Sequence, residues 1–463
     1  MASRSSDPEQ PELSFFAKNS SDEIGSAREP LINGKPSHED YSVIAAILPF
    51  FFPALGGLLY GYDIGATSGA EISIKSPTLS GITWYNLSSV ELGLIVSGSL
   101  YGALIGSILA FTIADYLGRR RELILSATMY LVGAIVTSIA PDFAIMVAMH
   151  AAPLYIAETA PSQIRGRLIS LKEFFIVLGM LLGYIVGSLE IDISGGWRYM
   201  YATSAPIALI MGIGMWWLPP SPRWLLLCAI QGKGSLQDAR ETAINCLCVL
   251  RGAAIDVFRG KCLKALIIGA GLVLFQQITG QPSVLYYAAT ILQSAGFSAA
   301  SDATRVSILL GLLKLIMTGV AVVAVDKLGR RPLLLGGVSG IVISLFLLAS
   351  YYTVLNSAPA VAVVALLLYV GCYQLSFGPI GWLMISEIFP LRLRGRGLSL
   401  AVLVNFAANA LVTFAFPPLQ SLLGAGMIFV LFGVIAILSL IFIFFIVPET
   451  KGLTLEEIEA KIL

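Results

Sequence analysis

The chain has 463 residues, 57% of them hydrophobic and 12% charged, with a formal net charge of +1 and a mean hydropathy of +0.84. So few charges cannot coat a soluble globule of this size, which assigns the chain to a bilayer. A net charge near zero says nothing about nucleic acid, and none is expected as a partner. No G-x-x-x-x-G-K-[ST] loop and no catalytic Ser/His or Cys/His arrangement occurs, which excludes a P-loop ATPase and gives no reason to expect an enzyme or a cofactor.

Residues 1–42 carry eight acids against four bases, with four prolines, and read as a disordered tail, not as a signal or transit peptide. Apolar runs then follow at 44–66, 91–113, 123–140, 143–157, 168–189, 199–218, 264–290, 306–325, 333–353, 361–385, 398–419 and 425–447. Most approach the ~20 residues needed to cross a ~30 Å hydrocarbon core. They lack the alternation of barrel strands, so they are expected to be twelve helices.

Lys and Arg set the orientation. Arg119–Arg121, Arg165, Arg167, the seven bases from Arg223 to Lys264, Lys327, Arg330, Arg331, Arg392, Arg394, Arg396 and Lys451 all fall on one side of a twelve-span count. Both termini and the polar segment 220–262 are therefore expected to be cytoplasmic. That segment separates a first half, 43–219, from a second, 263–448, with a short tail at 449–463. The five cysteines follow no disulfide or zinc spacing and read as reduced packing residues, so no metal is expected.

The halves repeat one another. Asp115-Tyr-Leu-Gly-Arg-Arg120 matches Asp326-Lys-Leu-Gly-Arg-Arg331, and E-x-x-P-x-x-x-R-G-R occurs from Glu158 to Arg167 and again from Glu387 to Arg396. From Glu158 to Pro219 is 61 residues, as it is from Glu387 to Pro448. Yet Asp115 to Glu158 spans 43 residues against 61 from Asp326 to Glu387. The deficit falls on spans three and four. Span four, 15 residues interrupted by His150 and Pro153, reaches only about 22 Å as a helix and is expected to be truncated.

These paired motifs resemble the sugar porters of the major facilitator superfamily, and the likeness extends to Pro219-Pro-Ser-Pro-Arg223, Gln276-Gln277, Tyr286-Tyr287, Gly378-Pro379-x-x-Trp382 and Pro448-Glu-Thr-Lys-Gly452. In detail the chain is similar to the plant branch called D-xylose–proton-symporter-like, which includes vacuolar glucose transporters. The resemblance implies two pseudo-symmetric six-helix halves, a monosaccharide site between them, alternating access, frequent proton coupling, a monomer, and a vacuolar or other cellular membrane. Symport and antiport are both open. So are a uniporter of the same fold and a transport-impaired variant that binds sugar without flux.

A sugar offers hydroxyls that need hydrogen-bond partners and a C–H face that suits an aromatic ring. Gln276 and Gln277 supply both hydrogen-bond senses and Trp382 a flat apolar face; helix–helix contact and interfacial anchoring are the alternatives. Asn405 and Asn409, four apart and so on one helix face, are further candidates, as are Tyr286 and Tyr287 as a gate. Glu173 stands where many family members place a sugar-binding glutamine. Pro282 replaces the family's asparagine, which removes a sugar contact and a backbone donor.

Intramembrane ionisable residues are functional hypotheses by default. Asp63 stands where proton-coupled relatives place their proton-binding acid, with capping of span one as its alternative role. Burial favours the neutral form of a carboxyl and a nearby cation the ionised form, so alternating surroundings let it exchange a proton. Relatives supply that cation as an arginine in span four; here no Lys or Arg occurs between Arg121 and Arg165. Lys314 is expected near mid-bilayer. The duplicated charges Asp115, Arg119, Glu158, Arg165, Asp326, Arg330, Glu387 and Arg394 are expected at the cytoplasmic helix ends. There they can form a latch that pairs across the halves or simply enforce orientation.

Overall fold

The computed structural model describes residues 43–117, 119–150, 165–217, 261–297, 299–355, 358–389, 394–453 and 457–458, with backbone alone at 43–50, 53, 109–117, 119, 148–150, 165–172, 261–262, 326, 355 and 394–396. By contacts the chain parts into residues 1–48 and residues 49–463, and every site discussed below lies in the latter.

Each regular element among the described residues is a helix. The first half holds α1 (Val43–Lys75), α2 (Ser89–Leu117), α3 (Arg119–Ile139), α4 (Phe143–His150), α5 (Arg165–Glu190), α6 (Gly196–Ala202) and α7 (Ser204–Trp217). The second holds α8 (Lys261–Ile278), α9 (Gln281–Tyr286), α10 (Ala288–Ser294), α11 (Ala300–Leu328), α12 (Arg330–Ser350), α13 (Pro359–Leu375), α14 (Phe377–Ile388), α15 (Arg394–Leu423) and α16 (Ala425–Ile446). Nine stretches of the described residues are long and apolar enough to cross a membrane. Of the three other expected spans, the first is α1, which has 33 residues. The sixth is divided at Thr203 between α6 and α7. Of the fourth, only the eight residues of α4 are described.

α1 continues past its expected end at residue 66 because Thr67, Ser68, Glu71 and Ser73 are buried against protein instead of facing lipid. Its packing is set by small residues. Gly61, Gly65 and Gly69 recur every fourth residue against the backbone of α5, where Gly65 meets Gly183, Gly69 meets Gly187 and Gly61 meets the Ile176 and Met180 backbone; a Cβ on Gly65 would lie 2.9 Å from the Gly183 Cα. Such ladders let two backbones approach closely where lipid gives apolar side chains no reason to associate. Side chains such as Val323, Ile343, Leu411 and Phe445 remain exposed, as suits helices solvated by hydrocarbon.

Two long helix pairs join the halves: α2 with α15 and α5 with α11. A Cβ on Gly93 would come within 2.6 Å of the Phe414 carbonyl, and one on Gly311 within 3.3 Å of the Leu181 Cα. The Tyr184 hydroxyl donates to the Leu285 carbonyl at 2.8 Å, also across the halves. At the end of the bundle opposite the Arg-rich turns, Ser88 and Glu91 form a reciprocal capping box on α2, with the Ser88 N–H and hydroxyl each 2.8 Å from the Glu91 carboxylate.

At the Arg-rich end the sequence repeat reappears as geometry. Arg120 donates to the Trp216 carbonyl, and its counterpart Arg331 donates to the Phe444 carbonyl. Each ties the turn that begins a helix to the end of the last helix in its half.

Candidate functional site

Two helices of the second half are interrupted where the sequence places its sugar-binding candidates. After α8, Gly280 adopts φ 94°, a left-handed conformation that glycine takes at little cost, and α9 begins with Gln281-Pro282. The proline lies in the first helical turn, where an N–H has no intrahelical acceptor. Its lost donor therefore breaks no helical hydrogen bond, and Pro282 starts a helix instead of merely deleting a contact. Tyr287 (φ −105°, ψ 21°) then separates α9 from α10. Ser376 (φ −106°, ψ −86°) separates α13 from α14, two residues before Gly378-Pro379. Interrupted helices leave main-chain polar groups that must be met from within the protein.

Gln276 meets one of them. Its Nε2 donates to the Phe377 carbonyl at the start of α14, 3.0 Å away. Gln277 Nε2 donates to Asn405 Oδ1 of α15 at 2.6 Å. Both glutamines are buried; neither Oε1 closes a well-formed hydrogen bond, although the Tyr373 hydroxyl lies near the Gln276 amide. A buried, unsatisfied acceptor costs about 1–3 kcal/mol, so each of these carbonyls has the capacity to accept one further hydrogen bond. The Gln276 Oε1 lies 3.6 Å from where a Cβ on Gly381 would stand. Trp382, the next residue, is half-buried against the same core.

Asn409, one turn along α15 from Asn405, donates through Nδ2 to the Tyr60 hydroxyl of α1 at 3.3 Å and accepts from the Thr413 hydroxyl at 3.3 Å. The two asparagines thus face one region, and the second reaches the other half. Sequence reasoning missed Tyr60; three residues before Asp63, it had no local signal beyond that proximity. Tyr287 donates to the Thr413 carbonyl at 3.0 Å and stacks on Phe416 with centroids 5.0 Å apart. Tyr286 is buried, and its hydroxyl lies near Ser99 of α2 without closing a well-formed hydrogen bond.

Two ionisable candidates, Asp63 and Glu173, connect to this cluster through Tyr60. Asp63 is 7% exposed and close enough to act electrostatically on Tyr60, Tyr62, Tyr130 and Tyr201. Glu173 of α5, half-buried, acts on Tyr60, on Tyr373 of α13 and on Lys314 of α11. Lys314 is 3% exposed in a helix otherwise facing lipid and protein. The side chain of His150 lies outside the described residues.

Of the charged residues expected to form a latch, Glu158 and the side chains of Asp115, Arg119, Arg165, Asp326 and Arg394 lie outside the described residues. The remaining two pair within one half: Arg330 donates to Glu387 at 3.0 Å. Glu387 also accepts from the Thr450 hydroxyl at 2.7 Å. Glu449 caps α12 by accepting from the backbone N–H groups of Arg330 and Arg331 at 3.1 and 3.0 Å. Partial burial opposes its ionisation, but these bonds and those from the N–H groups of Lys451 and Thr450 outweigh it and hold the carboxyl below its usual range. The three motifs D-x-x-G-R-R, E-x-x-P and P-E-T-K-G therefore meet as one cluster.

A family model for sugar (and other) transporters matches residues 50–462. "D-xylose-proton symporter-like 2" of Arabidopsis thaliana is 68% identical over 500 residues, covering 99% of each chain. That alignment is longer than this chain, so positions of the relative have no counterpart here. "D-xylose-proton symporter-like 3, chloroplastic", from the same plant, is 61% identical over 481 residues, covering 95% of this chain and 86% of the relative. Among solved structures, the inward-open xylose transporter XylE of E. coli superposes with a TM-score of 0.70 at 32% identity, covering 90% of this chain and 99% of that one.

Proposed function

We propose that this chain, which belongs to the sugar transporter family of the major facilitator superfamily, carries a monosaccharide across a membrane by alternating access with proton coupling. The observation that carries this reading is the pair of buried carbonyls, Gln276 Oε1 and Gln277 Oε1, neither of which closes a well-formed hydrogen bond, where two interrupted helices meet. Sugar hydroxyls donate to both, Trp382 covers the C–H face of the ring, and Asn405, Asn409 and Glu173 complete the polar lining. Tyr286 and Tyr287 stand on α9 and at its junction with α10, where a gate over that lining belongs.

Asp63 is the proton carrier in this scheme. Tyr60 links it to the sugar site, since one phenol lies within electrostatic reach of Asp63 and Glu173 and accepts from Asn409. The α2–α15 and α5–α11 contacts are the surfaces on which the halves rock. Among the described residues, hydrogen bonds between the halves run from Tyr60 and Asn409 to Glu71 and Thr290 at the end opposite the Arg-rich turns. With the basic side cytoplasmic, that arrangement supports a carrier closed on the far side. Arg330 and Glu387 brace their own half, and the duplicated partners Asp115, Arg119, Glu158, Arg165, Asp326 and Arg394 form the latch between halves. Both termini are then cytoplasmic, the carrier is a monomer, and a vacuolar membrane agrees with the branch it resembles.

One observation favours a second reading. No Lys or Arg occurs between Arg121 and Arg165, so the cation that the family resemblance sets beside the proton-binding acid has no counterpart in that interval, which favours a carrier that equilibrates sugar or binds it without flux. Uptake of labelled glucose and xylose into proteoliposomes, with and without a pH gradient, separates these. Gradient-driven accumulation that Asp63→Asn abolishes is the expected result; equilibration unaffected by the gradient would remove the proton from the account.

A further inference from the structure

Glu71 has no place in the sugar site, yet it is a carboxylate 1% exposed near the end of α1. Its Oε2 accepts a hydrogen bond from the Thr290 hydroxyl of α10 at 2.6 Å, across 219 positions of sequence. One turn back on α1, the Ser68 hydroxyl accepts from the Ala289 backbone N–H at 3.2 Å. Lys75, half-exposed at the end of α1, stands 3.7 Å from the other Glu71 oxygen, which has no hydrogen-bond partner of its own. Two adjacent residues of α10 are thus held by two residues a turn apart on α1, and the two helices belong to opposite halves of the chain.

The location gives the clasp its consequence. α10 begins directly after Tyr287, the residue at which the interrupted helix bends. Wherever α10 is pinned, Tyr286 and Tyr287 are positioned with it. Opening the far side requires α1 and α10 to separate, and separation takes the Thr290 hydroxyl away from its acceptor and brings a buried carboxylate to water.

We propose that Glu71 is a positioning residue of the transport cycle: through Thr290 it clasps α10 to α1 and closes the far mouth of the sugar site. The proposal rests on the alternating-access reading for its meaning, but its test needs no transported sugar and can fail separately. The rate at which a maleimide labels Ala289→Cys, 1% exposed in the closed mouth, is measured after the five native cysteines are replaced by serine. Thr290→Val, which removes the donor and keeps the shape, and Glu71→Ala should each raise that rate about tenfold, the scale of one buried hydrogen bond. Glu71→Gln, which keeps a carbonyl acceptor for Thr290, should recover most of the protection. A merely structural role would lower thermal stability in all three without that order of labelling. If Thr290→Val, the variant least able to disturb folding, labels within twofold of the parent, the clasp is refuted.

Discussion

Replacing Gln277 with alanine tests the sugar site at its best-defined contact. The change deletes the Oε1 acceptor offered to substrate and leaves Asn405 Oδ1, now 2.6 Å from Gln277 Nε2, without its donor. A net hydrogen bond of about 1 kcal/mol is lost to the sugar, and disorder of the Asn405 amide adds a comparable amount. Together these weaken binding by about 1–2 kcal/mol, or roughly 5- to 30-fold in Kd. Equilibrium binding of labelled D-glucose and D-xylose to the purified protein reads this directly. Asn405→Ala should weaken binding too, since it frees the Gln277 amide to turn. Because one amide orients the other, the double variant should fall short of the sum by about 0.5 kcal/mol or more. A Kd for Gln277→Ala within twofold of the parent, or strictly additive effects, would refute the assignment of that carbonyl to the substrate.

Three other outcomes are expected. Gly183→Leu drives a side chain into the Gly65 and Ala66 backbone, where even a Cβ would lie 2.7 Å from the Ala66 nitrogen; overpacking of this kind costs about 1–3 kcal/mol or more, so the melting temperature should fall, while Gly319→Ala, with open space around it, should leave it unchanged or higher. Glu449 is held below its usual range in the folded protein, so it stabilises α12 above the unfolded-state pKa, and that contribution disappears as pH falls through the depressed folded value. Melting curves of the parent and Glu449→Gln should therefore differ at neutral pH and converge in acid. Lys314→Met and Glu173→Gln each remove one member of a facing pair on α11 and α5, and the double variant should retain more stability than the singles together predict, by about 1 kcal/mol of coupling.

How much of this was legible in the sequence depends on how local each signal is. The Arg-rich turns announced themselves by repetition, and Arg120 and Arg331 make the same carbonyl contact in their two halves. Asn405 and Asn409 were readable as one face because helical spacing alone decides that. The direction of the glutamine amides was not readable: whether Nε2 or Oε1 faces substrate depends on Phe377 and Asn405, about a hundred residues away. The end of α1 was misjudged for a similar reason. Ser68 and Glu71 look like the exit from a membrane until Ala289 and Thr290 are placed beside them. Pro282 looked like a loss because its sequence neighbours do not disclose that Gly280 ends one helix and lets another begin. The glycine ladder on α1 and α5 was present in the letters as a four-residue repeat, but pairing those two helices required the fold.

Sugar counterflow tests the central claim most directly, because it requires a site that faces each side in turn and needs neither a proton gradient nor a known coupling ratio. Proteoliposomes preloaded with unlabelled glucose or xylose are diluted into a trace of the labelled sugar. The account predicts a transient, saturable accumulation of label inside, slowed roughly 5- to 30-fold by Gln277→Ala at trace concentration and retained by Asp63→Asn. Saturable binding to the protein with no overshoot would contradict it and identify a sugar-binding protein that does not complete the cycle.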